Sequence, residues 1–171
     1  MIGELLRQTG QISSSPPSSL LRLDALALGT GPSFYEWIKH PLPAGKRYGC
    51  GVSSLYLRLD AYAYGDAIHE SHLPTNDFHP GVEIHGTDRV WRPGLILWDD
   101  AIPHGGSSGG MALSLACATH QRIGVIGFDG HQMPDEFVAR FRDLLRYWQS
   151  RGKELVSLMP SSVFDDVLAK A

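Results

Sequence analysis

Short apolar runs alternate along the chain with stretches whose apolar residues recur at helical spacing, and turn residues punctuate the two. The first clear run, Asp24-Ala25-Leu26-Ala27-Leu28, stops at Gly29-Thr30-Gly31-Pro32-Ser33, which predicts a buried strand feeding a tight turn. Ser33 followed by Glu36 has the spacing of a capping box. A short helix is therefore expected from Ser33 to about Lys39, ended by Pro41 and Pro43. Lys46 to Gly51 reads as a second strand, Ser53 to Leu59 as a short helix and Ala61 to Tyr64 as a third strand running out at Asp66. After a loop-like stretch from Ile68 to Pro80, two more strands are expected at Val82–His85 and Leu95–Trp98. The sharpest unit follows. Gly105-Gly106-Ser107-Ser108-Gly109-Gly110 opens a small-residue helix, Met111 to His120, and Arg122 to Asp129 returns as a buried strand. A helix from about Pro134 to Ser150 places Phe137, Phe141, Leu144, Leu145 and Trp148 on one face, with Gly152 as its stop. Glu154 to Leu158 is expected as the last strand and Ser162 to Leu168 as a closing helix.

Near-continuous apolar strands alternating with helices predict an α/β fold in which a mostly parallel sheet is covered by helices on both faces. Ser13-Ser14-Ser15-Pro16-Pro17-Ser18-Ser19 is a linker by composition. The expected organisation is thus an N-terminal arm over residues 1–19, with a short helix in residues 1–12, and a single domain over 20–171. The arm reads either as loose chain or as a segment that docks on an assembly partner or a neighbouring copy, which would make a homo-oligomer.

Composition narrows the function classes. A chain of 171 residues and 18.8 kDa suits one domain with a real core. Fifteen Lys+Arg against eighteen Asp+Glu give a formal net charge of -3, so nothing marks a generic nucleic-acid coat. Cys50 and Cys117 are too few for a disulfide framework, which points to a reducing compartment. No run approaches the roughly 18 apolar residues of a membrane helix, and the N-terminus lacks the layout of a signal peptide. A cytoplasmic protein that engages neither membrane nor nucleic acid is expected.

In open α/β sheets, ligands bind beyond the carboxyl ends of the strands, where strand order reverses. The residues directly after each predicted strand are the Gly29–Ser33 turn, Asp66, the His104–Gly110 loop, and Asp129 with His131. Gly29, Gly31, Pro32 and Ser33 on one side, and Ser107, Ser108 and Gly109 on the other, combine absent Cβ atoms with the unpaired N–H groups of helix starts. That combination suits a phosphate-bearing ligand; an ordinary strand-to-helix turn with packing glycines is the alternative. Phe34 stands near where the third glycine of a dinucleotide fingerprint would fall, and the lysine of a P-loop is missing. Asp66 and Asp129 could accept hydrogen bonds from ribose or base, bind a divalent cation, or cap a following helix. His104 and His131 are placed to act as general acid or base, or to be bystanders.

Other chemistry is disfavoured. His69, His72, His79 and His85 lack the His-Glu-x-x-His spacing, and Pro74 and Asn76 break any helix there. They read as solvated loop or interface residues, and no metal is expected. Cys117 belongs to the core, Cys50 has no evident base, and a serine hydrolase is disfavoured.

Leu26 to Ser33 resembles the opening strand and "G-x-G-P-S" turn of a Rossmann-like group. That group contains bacterial sialyltransferases, 6-hydroxymethylpterin diphosphokinase-like and motility-accessory glycosyltransferase-like proteins, and short uncharacterised phage proteins. Ser107 to Ala116 followed by Ile123 to Asp129 is similar to the group's second signature, and Arg151 to Leu158 with Pro160-Ser161-Ser162 to its late strand and turn. The likeness spans roughly residues 22–168. It implies a Rossmann-like domain whose two Gly-Ser loops, with Asp129 nearby, form a nucleotide or nucleotide-sugar pocket. It implies glycosyl transfer with a histidine base and no required cofactor. Two features depart from the sialyltransferases. Cys50, Gly51 and Ser53 stand where an asparagine is usual, and Asp129 runs within a few residues into the next helix, with no room for the catalytic lid. The short form is closer to the phage-type members, in the host cytoplasm or the virion. A non-catalytic assembly protein on a degenerate Rossmann-like fold is the alternative function, and a pterin diphosphokinase-like enzyme a weaker one.

Overall fold

The computed structural model describes residues 23–65, 78–89 and 94–170. The expected arm, Asp66, His69 and His72 lie outside the described residues. The elements run β1 (Ala25–Leu28), α1 (Pro32–Trp37), β2 (Lys46–Cys50), α2 (Ser53–Tyr56), β3 (Ala61–Tyr64), β4 (Glu83–Gly86), β5 (Leu95–Leu97), α3 (Ser108–Thr119), β6 (Arg122–Ile126), α4 (Asp135–Ser150), β7 (Glu154–Ser157) and β8 (Ala169–Lys170). The strands form one eight-stranded sheet in the order β5-β4-β3-β2-β1-β6-β7-β8. Every pairing is parallel, with Ala25 opposite Lys46 on one side and Ile123 on the other. The fold is therefore α/β and Rossmann-like, with a wholly parallel sheet.

The pleat explains which helix covers which face, because successive side chains point to opposite sides. Ala25, Ala27, Ala61 and Ala63 point to one face, and there α3 lies close, its residues Met111 to Cys117 all buried. Small residues on the strands leave room for a helix that is apolar all round. Leu26, Leu28, Tyr62 and Tyr64 fill the opposite face against Phe34 of the six-residue α1 and Leu59. Here large strand side chains supply the volume that a short helix cannot.

α4 covers the α3 face of β6 and β7 with Phe141, Leu144, Leu145 and Trp148, whereas Phe137 is only half-buried. Burying each such side chain contributes about 1.5–3 kcal/mol. Trp148 donates its indole N–H to Ser114 Oγ at 2.9 Å, which ties α4 to α3. No helix of the described residues is long and apolar enough to cross a membrane.

Three sequence expectations change. α1 starts at Pro32 with Gly31 as its cap and no capping box of its own, because the Ser33 hydroxyl is engaged elsewhere and Glu36 pairs with Lys39 at 2.8 Å. The expected closing helix is a run of turns, with Asp165 N–H donating to Ser162 O and Val167 N–H to Phe164 O. Glu154–Ser157 is not the last strand either, since β8 follows those turns and extends the sheet.

Candidate functional site

β1 and β6 are neighbours, yet the chain continues from β1 toward β2 and from β6 toward β7, on opposite sides. The crevice beyond their carboxyl ends is thus the point where strand order reverses, the usual ligand position in such sheets. The two exits lie against one another. Gly29 N–H donates to Ile126 O and Gly31 N–H to Gly127 O, both at 2.8 Å. A Cβ on Gly29 would collide with Gly127 O, and one on Gly31 with Asp129 Oδ2. Gly127 itself has φ +77°, a conformation that favours glycine. The glycines of the first turn are needed by backbone crossing backbone. Gly29 and Gly31 shape the cleft, while their amides are spent inside the protein.

Ser33 and Asp129 lock this crossing. Asp129 Oδ2 accepts the Ser33 hydroxyl at 2.9 Å and the Ser33 N–H at 3.1 Å, and Ser33 Oγ accepts the Gly127 N–H at 3.0 Å. Both are buried, at 3% and 5% exposure. Asp129 therefore caps α1, the helix before it in space, rather than the helix after it in sequence. Its other oxygen, Oδ1, has no hydrogen-bond partner among the described residues, and Asp129 lines the cleft. A carboxylate this deep leaves an acceptor free only at the cost of an unmade hydrogen bond or a contact with solvent or ligand.

The cleft encloses about 330 Å³, with Thr30 and Pro32 on one side, Ser108 and Gly109 on another, and His131 at the rim. Ser107 caps α3, its hydroxyl accepting the Gly110 N–H at 3.0 Å. Ser108 Oγ accepts the Gly65 N–H at 2.9 Å and so ties the end of β3 to α3. The Ser108 and Gly109 N–H groups have no partner among the described residues. They open at the positive end of a twelve-residue helix. Cys50 lines the same cleft, but burial pushes its thiol up to about 12, which removes it as a nucleophile at neutral pH.

A second, larger cleft of about 580 Å³ lies beyond β3, β4 and β5, and Ser107 lines both. His104 faces this second cleft and His131 the first, so the two candidate acid–base residues are not brought together. His104 Nδ1 accepts the Gly106 N–H at 3.1 Å, and a ring in that tautomer presents Nε2–H as a donor. His85 sits away from both clefts, 3.1 Å from Glu83 Oε2. Among the described residues no three His, Cys, Asp or Glu side chains converge as metal ligands would.

Sequence reasoning missed Arg140, Arg89 and Trp98, which line the second cleft. Nothing in the sequence separates Arg140 from Arg142 or Arg146 on the same helix. The structure does: Arg142 pairs with Asp166 and Arg146 with Asp143, while Arg140 has no ion pair among the described residues. Ser162 was also missed as a support, although the Pro160-Ser161-Ser162 turn marked the place. Its hydroxyl holds the carbonyls of Phe128 and Asp129, at 3.1 and 3.2 Å.

Sheet order, crevice and helix start together define an α/β Rossmann-like domain with a cleft at its switch point. Compared with protein-family models, with curated proteins and with solved structures, the chain matches none.

Proposed function

We propose that the protein binds a nucleotide or nucleotide sugar in the β1–β6 cleft and acts as a glycosyltransferase-like enzyme. The observation that carries this reading is Asp129, a buried carboxylate with one oxygen spoken for by Ser33 and the other unpartnered at the cleft. A ribose hydroxyl or base N–H is the natural donor to it. The free Ser108 and Gly109 amides, at the positive end of α3, would hold the phosphate. In transfer, an acceptor hydroxyl gives its proton to His131 as its oxygen bonds to the sugar's anomeric carbon. The bond from that carbon to the phosphate oxygen breaks, and the nucleotide departs with the electron pair, its charge held by the α3 amides.

Calorimetry against a panel of nucleotides and nucleotide sugars tests the reading. Wild type is expected to bind at least one, Asp129→Asn to weaken it about tenfold while remaining folded, and His131→Ala to bind but not transfer. A panel without a single binder overturns the proposal.

One observation favours a second reading, a non-catalytic assembly domain. Only a short loop joins Asp129 to α4, which leaves no room for a lid between β6 and α4, and Tyr35, Leu55 and Tyr56 are exposed on α1 and α2. Stable self-association with no nucleotide binding would select it.

A further inference from the structure

The second cleft gathers hydrogen-bond donors and carboxylates in one lining. Arg140 comes from α4 and stands over Gly106, whose missing Cβ would lie 3.2 Å from its Nη1. His104 lines the same cleft, and its Nδ1 is already taken by the Gly106 N–H, so the ring offers Nε2–H. Ser107, shared by both clefts, stands at the start of α3. The loops after β4 and β5 add Asp88, Arg89 and Asp100 to the lining of the same cleft. Arg140 and Arg89 have no ion pairs among the described residues, although two carboxylates line the same space.

An anion entering this cleft is drawn to Arg140 and His104 and repelled by Asp88 and Asp100. A guanidinium with an adjacent N–H is a fork that fits a tetrahedral oxyanion. Because Ser107 borders both clefts, such an anion lies next to whatever the Ser108 and Gly109 amides hold. We propose that Arg140, with His104 Nε2–H, holds a second phosphoryl group of the ligand. The site then takes nucleoside diphosphates, or sugars attached through a diphosphate, in preference to monophosphates. Hydroxyls beyond that group would meet Asp88 and Asp100. The proposal rests on the nucleotide reading of the neighbouring cleft and makes His104 a binding donor rather than a base.

The test is calorimetry with matched nucleoside mono- and diphosphates of the four common bases, and 31P NMR with inorganic pyrophosphate. For any base that binds, wild type is expected to prefer the diphosphate by about tenfold or more. Arg140→Gln should collapse that difference and Arg140→Lys restore part of it; Arg140 is exposed, and circular dichroism confirms that each variant is folded. Equal affinity for mono- and diphosphate in wild type overturns the proposal. So does a preference that survives in the Arg140→Gln, His104→Ala double variant. If no nucleotide binds but pyrophosphate does, and Arg140→Gln abolishes it, the nucleotide reading falls while the oxyanion role of Arg140 stands. If pyrophosphate fails as well, both fall.

Discussion

Ser33, Asp129 and Cys50 show how partners far along the chain reassign a residue's chemistry. Ser33 and Glu36 have the local spacing of a capping box, yet the Ser33 hydroxyl binds Asp129, 96 residues away, and Glu36 turns outward to Lys39. Local spacing states what a side chain can do, and the long-range partner decides what it does. Cys50 makes the same point through burial. It lines the cleft beside Gly51, where a reagent could approach, but removal from water disfavours the thiolate and pushes the thiol up to about 12. Burial likewise pushes Cys117 up to about 12. Ionisation lies above the working range, so at pH 8 both thiols stay protonated and unreactive. Iodoacetamide at pH 8 is expected to label neither cysteine in the native protein and both in denaturant, read by mass spectrometry. Fast stoichiometric labelling of Cys50 in the native state would contradict this.

At the scale of elements, α4 was the most legible piece and the reason is physical. Its apolar face, acidic first turn and Gly152 stop are all local signals. Gly152 N–H donates to Gln149 O at 2.9 Å and Lys153 N–H to Trp148 O at 3.1 Å, the pair of bonds of a Schellman cap, with Gly152 at φ +80°. A Cβ there meets nothing within 4 Å, so the whole cost of Gly152→Ala is the left-handed backbone. Denaturant titration should show a loss of about 1–2 kcal/mol. The strands were legible too, because β1 and β3 are apolar without a break. The last elements were not. Ser162 to Leu168 carries helical spacing, but Ser162 is drawn under the Phe128–Asp129 carbonyls and β8 is only two residues long. In the site, the glycine turns and Asp129 stood out in sequence, while Arg140 did not. Its place depends on α4 facing a cleft beyond β3, β4 and β5, a juxtaposition that no local pattern encodes.

In the whole molecule, protection should fall from the centre of the sheet to its edges. All four residues of β1 are fully buried, and it is paired on both sides, whereas β5 and β8 are edge strands of three and two residues with exposed positions. Hydrogen exchange is therefore expected to be slowest in β1 and β6, limited there by global unfolding, and faster in β5 and β8 through local opening. The cleft sits directly over that rigid centre, where Gly29, Gly31 and Gly127 already fix the two strand exits by backbone hydrogen bonds. A ligand there has no loose sheet to order. Added nucleotide should slow exchange in the first turn of α3 and in the loop from Gly127 to Met133, and leave β7 and β8 as they were. With a diphosphate, slowing should extend to the His104–Ser107 segment that borders the second cleft. β1 and β6 exchange through global unfolding and slow with any ligand that binds only the folded state; failure to slow the first turn of α3 and the Gly127–Met133 loop beyond that shared factor would argue against a preformed site at the switch point.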